Sequence, residues 1–82
     1  MIMSSESLEK KLEKWRKLEE EAREIRRREA NWDFIEKQPP RLKAALKYYI
    51  EFGDIRTAAK IAGLAIDEFR MLLLSAGIPT VV

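Results

Sequence analysis

The chain has 82 residues, with 16 Lys and Arg against 14 Asp and Glu, a formal net charge of +2. That is room for one small domain plus an appendage, and the balance lacks the basic excess that usually marks a nucleic-acid surface. Cysteine and histidine are both absent, which excludes a disulfide framework and thiolate chemistry and leaves a zinc site only carboxylates.

At the start of the chain, Met1-Ile2-Met3-Ser4 is no signal peptide. No apolar run approaches the roughly 18–20 residues of a membrane span, so a cytoplasmic protein with no membrane partner is expected. Residues 5–37 then contain no Gly or Pro and are dominated by Glu, Lys, Arg, Leu and Ala. This composition predicts one long helix, begun by a Ser4 or Ser5 cap with Glu6 and Glu9 near the positive end of its dipole. If continuous, it is a rod of about 45 Å. Its apolar residues, Leu8, Leu12, Trp15, Leu18, Ala22, Ile25 and Trp32, form a stripe of heptad type interrupted at Glu29. The pairs Glu6–Lys10, Glu13–Lys17, Glu19–Arg23 and Glu24–Arg28 have the acid four residues ahead of the base, the better orientation.

So long a stripe cannot be buried on the short remainder of the chain. A homodimeric coiled coil through Leu8, Leu12, Trp15, Leu18 and Ile25 is the preferred reading, and a helix that bends back on its own chain is the alternative. The pattern leaves the direction of pairing open. The run Arg26-Arg27-Arg28 reads either as a phosphate-contacting patch, with Arg27 as its representative, or as a solvated face paired with Glu24 and Glu29. The scarcity of amides, one Asn and one Gln, matches the composition of thermophilic proteins.

Pro39-Pro40 divides the chain into a rod (1–38) and a compact domain (39–82), because proline ends a helix before it and is tolerated at the first position of the next. Residues 41–52 place Leu42, Ala45, Leu46, Tyr49 and Ile50 on one helical face, closed by Gly53. Asp54 is a candidate N-cap for a helix to about Ala62. A turn at Gly63-Leu64-Ala65 leads to a last helix over 66–76, ended by Gly77, and the apolar 78–82 form an extended tail. The expected fold class is therefore all-α: a long amphipathic helix, then three helices and a tail. Small Ala58 and Ala59, the turn glycine Gly63 and the apolar Phe69 and Leu72 have the spacing of a helix-turn-helix.

The run LKYYIEFGDIRTAAKIAGLAIDEFRMLLLSAGIPTVV resembles the helix-turn-helix region of small prokaryotic proteins regarded as antitoxins. The likeness rests on Ala58-Ala59, Ala62-Gly63-Leu64, Phe69 and Gly77-Ile78-Pro79. Gly53-Asp54 before the alanine pair is also similar to the Fis-type helix-turn-helix. It covers about half the chain, 42–82, and leaves the rod unmatched. The resemblance implies DNA binding and, for the antitoxins, pairing with a PIN-domain nuclease toxin. Both families commonly cap the last helix with Ser, where this chain has Ala65 followed by Ile66, Asp67 and Glu68.

Two functions are thus open. One is a DNA-binding regulator on duplex DNA, dimeric through the rod and of antitoxin type, with Lys43, Arg56, Lys60 and Arg70 as further phosphate-contacting candidates. The other is a protein-interaction module. Leu46, Ile50, Ile55, Ala59, Leu64, Phe69, Leu72 and Ile78 read as core, whereas Ile66, Met71, Leu74, Val81 and Val82 exceed what three helices can bury. Met71, Leu74 and Val81 are therefore candidates for a partner interface, with the tail adding a strand or filling a groove. With no Gly-rich phosphate loop and no recognisable carboxylate pair, an enzyme is not expected, nor is a cofactor.

Overall fold

The computed structural model describes residues 5–80, with side chains from Leu8 onward. The expected Ser4 or Ser5 cap, Glu6 with its Lys10 pair, and the candidates Val81 and Val82 lie outside what it describes. Within it the protein is all helical: α1 (Ser5–Glu29), α2 (Trp32–Glu36), α3 (Pro40–Phe52), α4 (Ile55–Ala62) and α5 (Ile66–Ser75).

The single helix expected over 5–37 is broken. Helix α1 stops at Glu29, and Asn31 takes an extended conformation (φ −83°, ψ 93°) as the N-cap of α2. Its side-chain oxygen accepts the Phe34 N–H at 3.1 Å, while its own N–H donates to the Ala76 carbonyl at 2.8 Å. Asparagine is a weak helix former but a strong cap, so the chain's lone Asn fits the break. The tertiary gain is larger: the turn brings Ala30 and Ile35 into the core, Ile35 fully buried. At 25 residues α1 is about 37 Å long. Trp32 leaves the α1 stripe, and its indole N–H donates to the Arg27 carbonyl at 2.9 Å.

Beyond the two prolines the local signals match the structure. Pro40 opens α3, and Ala45, Leu46, Tyr49 and Ile50 form its buried face. Asp54 caps α4 by accepting the Thr57 N–H at 3.2 Å, and the Thr57 hydroxyl donates to its other oxygen at 2.6 Å. Helix α4 buries Ala58, Ala59 and Ala62, small side chains that let helices approach closely. It ends in a Schellman turn, with Leu64 N–H on Ala59 O and Gly63 N–H on Lys60 O, and Gly63 at φ 71°. Helix α5 ends in the same way at Gly77 and Ile78. Ala65 has no capping side chain, and instead the Glu68 carboxylate accepts the Ala65 N–H at 3.1 Å. That is the return half of a capping box.

One core joins α2 to α5, with Ala30 entering it just after the end of α1. Leu46, Ile50, Ala59, Phe69 and Ile78 are buried in it as expected, Ile55, Leu64 and Leu72 lie half-buried at its rim, and Leu73 is fully buried beside Phe69. Because Ala30 and Ile35 belong to the same core, packing does not stop at Pro39-Pro40. The radius of gyration is 15.6 Å, with extents of 52 × 24 × 18 Å, against about 12 Å for a compact chain of this length. The excess is the first half of α1, whose side chains from Leu8 to Glu21 are all exposed.

Gly63 tests the turn. A Cβ there lies 2.8 Å from the Arg41 guanidinium carbon and must accept a left-handed φ. Gly63→Ala is expected to lower unfolding free energy by about 1–2 kcal/mol in urea titration, and an unchanged midpoint contradicts the tight turn.

Candidate functional site

The surface of interest starts from how α1 is held. The last carbonyls of a helix lack intrahelical partners. Those of α3 are taken by arginines of α1: Arg23 Nε donates to Glu51 O at 2.9 Å and Arg26 Nε to Ile50 O at 2.8 Å. The guanidinium of Arg26 also lies 5.8 Å over the Tyr49 ring and packs on Gly53, where any Cβ would meet it at 3.1 Å. Two positive charges thus sit at the negative end of the α3 dipole. Arg27 Nε adds a 3.0 Å bond to the Glu51 carboxylate. Arg41 repeats the device on α4, donating to Ile61 O at 2.7 Å. Burial lowers the Arg26 pKa despite the favourable Tyr49 and Glu51 nearby, and raises that of Tyr49 against the pull of Arg26 and Arg70.

This packing uses one side of α1 and leaves the stripe open. Leu8, Leu12, Trp15, Leu18 and Ile25 are 40–66% exposed, and Ala22 is half-buried. The stripe does not end with α1. Ile25, Leu74, Ile78 and Pro79 line a groove between α1 and the end of α5, with Glu29 and Gly77. A neighbouring groove is lined by Leu18, Ala22, Ile25, Arg26, Glu21 and Pro79. Ile25 and Pro79 belong to both, so apolar surface runs from Leu18 to Leu74 and continues the α1 stripe. Met71, one turn back on α5, extends it; Met71 and Leu74 are 64% and 63% exposed. Part of the expected docking tail is already engaged on its own chain: Ile78 is buried, and Pro79 and Thr80 are half-buried.

The cationic candidates are scattered. Arg27 is on Glu51, and Lys43 lies 3.4 Å from Glu36, which also takes Lys47 at 3.1 Å. Hydrogen bonding and charge from Lys47, then Lys43, lower the Glu36 pKa. The charge of Arg70 is felt at Tyr49, on the α3 side of the molecule. Only Arg56 and Lys60, four residues apart on α4 and both exposed, share a face. In the first turn of α5, Asp67 and the capping Glu68 are exposed. Arg28 turns to Glu29 at 3.7 Å and Arg23 to Glu51, rather than to the glutamates four residues earlier. Sequence reasoning names Arg23, Arg26, Arg41 and Pro79 but misses their roles as helix-end caps and, for Pro79, as the link between the two grooves. Nothing local marks an arginine as the cap of a distant helix, although the 23/26 spacing does put two on one face.

Arg26→Ala is expected to cost about 2–3 kcal/mol in urea unfolding, with Arg26→Lys recovering only part, since a charge-assisted bond to a buried carbonyl is lost. A loss below about 0.5 kcal/mol, the scatter of ordinary surface changes, contradicts the anchoring role. Comparison with known proteins gives no match: no family model, no curated protein and no solved structure is similar to this chain.

Proposed function

We propose that this chain is a small dimeric adaptor of the antitoxin kind, which pairs with a second copy through α1 and docks a partner protein on the outward face of α5. What supports this is one observation, the exposed apolar stripe of α1 from Leu8 to Ile25, joined past Pro79 to Leu74 and Met71. Monomeric proteins rarely leave an apolar patch beyond about 300–600 Å² uncovered, and a larger one marks a protein interface. In this reading α4, the turn over 63–65 and α5 make the helix-turn-helix unit. Their role is to present Ile66, Met71 and the acidic Asp67 as a mixed apolar and acidic ridge. A PIN-type nuclease toxin is the partner that the resemblance implies.

A DNA-binding regulator is the second reading, favoured by the exposed Arg56–Lys60 pair on α4. Weighing against it, the N-terminus of α5 already holds a carboxylate, Glu68 on Ala65 N–H, where a DNA reader meets phosphate and base edges.

Sedimentation equilibrium of the full chain is expected to give a dimer, and Leu18→Glu a monomer that loses helix only in the first half of α1. A monomeric wild type at tens of micromolar overturns the pairing. Gel shifts on duplex DNA at two salt concentrations separate the readings. Retention with a steep salt slope, lost in Arg56→Ala/Lys60→Ala, favours the regulator; no retention at low salt leaves the adaptor.

A further inference from the structure

The pairing proposed above leaves its direction open, and here the side chains discriminate. We infer that the second copy lies antiparallel on α1, so that its Leu8 fills the groove formed by Ile25, Leu74, Ile78 and Pro79. The inference rests on α1 being the self-association surface.

In heptad terms, Leu8, Trp15 and Ala22 hold one seam position and Lys11, Leu18 and Ile25 the other. An in-register parallel pair sets Lys11 against Lys11, Trp15 against Trp15 and Ala22 against Ala22. That is a like-charge contact, then an overfilled layer, then a hollow one. An antiparallel pair centred between Arg16 and Lys17 gives different layers: Leu8 with Ile25, Lys11 with Ala22, and Trp15 with Leu18. Each layer then combines a larger with a smaller or equal group. The stem of Lys11 can lie over the small Ala22 with its ammonium at the edge.

Charge follows the same two-fold symmetry. In residues 9–17, five cations (Lys10, Lys11, Lys14, Arg16, Lys17) outnumber Glu9 and Glu13. In residues 18–24, Glu19, Glu20, Glu21 and Glu24 face only Arg23, which is committed to Glu51 of its own chain. Antiparallel pairing lays the basic half of each helix along the acidic half of the other, whereas parallel pairing sets Glu21 beside Arg26, whose guanidinium is already held by the Ile50 carbonyl of its own chain. At the flanks it sets Lys14 beside Glu21 of the second copy, twice by symmetry; both are exposed and free to meet. The stripe from Leu8 to Ile25 spans about 26 Å. Leu8 of one copy therefore reaches Ile25 of the other and, with it, the groove at Pro79 and Leu74. One occupant covers both the stripe and the groove that continues it.

Charge exchange in the full chain tests the direction. Lys14→Glu alone and Glu21→Lys alone should each weaken dimerisation on the order of tenfold in sedimentation equilibrium, since two attractive contacts become repulsive. Mixed together, or combined in one chain, they should restore it. In a parallel dimer Lys14 faces Glu19 and Glu21 faces Arg26, so the combined variant stays weak; that result overturns the antiparallel arrangement while leaving self-association intact. A second readout uses the absence of native cysteine: Lys14→Cys and Glu21→Cys, mixed and oxidised, should give the mixed disulfide. Predominance of either homodisulfide contradicts the proposal, and a wild type monomeric throughout overturns both it and the reading beneath it.

Discussion

Two guanidinium groups on two carbonyls hold the molecule in its working shape. Arg23 and Arg26 reach the open carbonyls of Glu51 and Ile50, so the end of α3 is closed by α1 instead of by water. A helix of mixed charge has little intrinsic reason to lie on a small core, because its packing face in the last turns is largely arginine. The unsatisfied end of α3 supplies that reason, with Gly53 leaving room for the guanidinium. Fixing the last turns of α1 also fixes the direction of the helix before them, whose described side chains from Leu8 to Glu21 are exposed. The exposed stripe is therefore aimed away from the core in a set direction.

Much of the local architecture was legible because its causes are local. Three glycines all adopt left-handed φ at helix ends, and Asp54 and Pro40 act at their helix starts as their chemistry dictates. The break at Asn31 was not legible. Composition favours helix through 37, and the competing gain is tertiary: burial of Ile35 and an Asn31–Ala76 bond between segments far apart in sequence. Helix propensity, a few tenths of a kcal/mol per residue, yields to a buried isoleucine at about 2 kcal/mol.

The candidate surface was legible in the same uneven way. Heptad spacing identified Leu8 to Ile25 as an uncovered stripe, and surplus apolar residues on α5 identified Met71 and Leu74. Their union was invisible, since it depends on Pro79 folding back against Ile25 after the Gly77 turn. Dispersal of the cations was equally hidden. Arg27 and Lys43 sit in basic stretches of sequence, yet in space each answers a carboxylate from another helix. Glu68, which reads as a charge opposed to phosphate, is a cap standing in for the Ser that Ala65 is not.

Together these features describe a helix that is only half supported. An isolated helix of about 12–15 residues is marginal in water, so under the proposed pairing a second chain orders the first half of α1, while its last turns are held by Arg23 and Arg26. Amide hydrogen exchange followed against protein concentration measures that difference directly. Protection over residues 8–18 should rise with concentration, while that over 23–29 stays constant. Equal and concentration-independent protection along all of α1 would contradict the view that its stripe is completed by another chain.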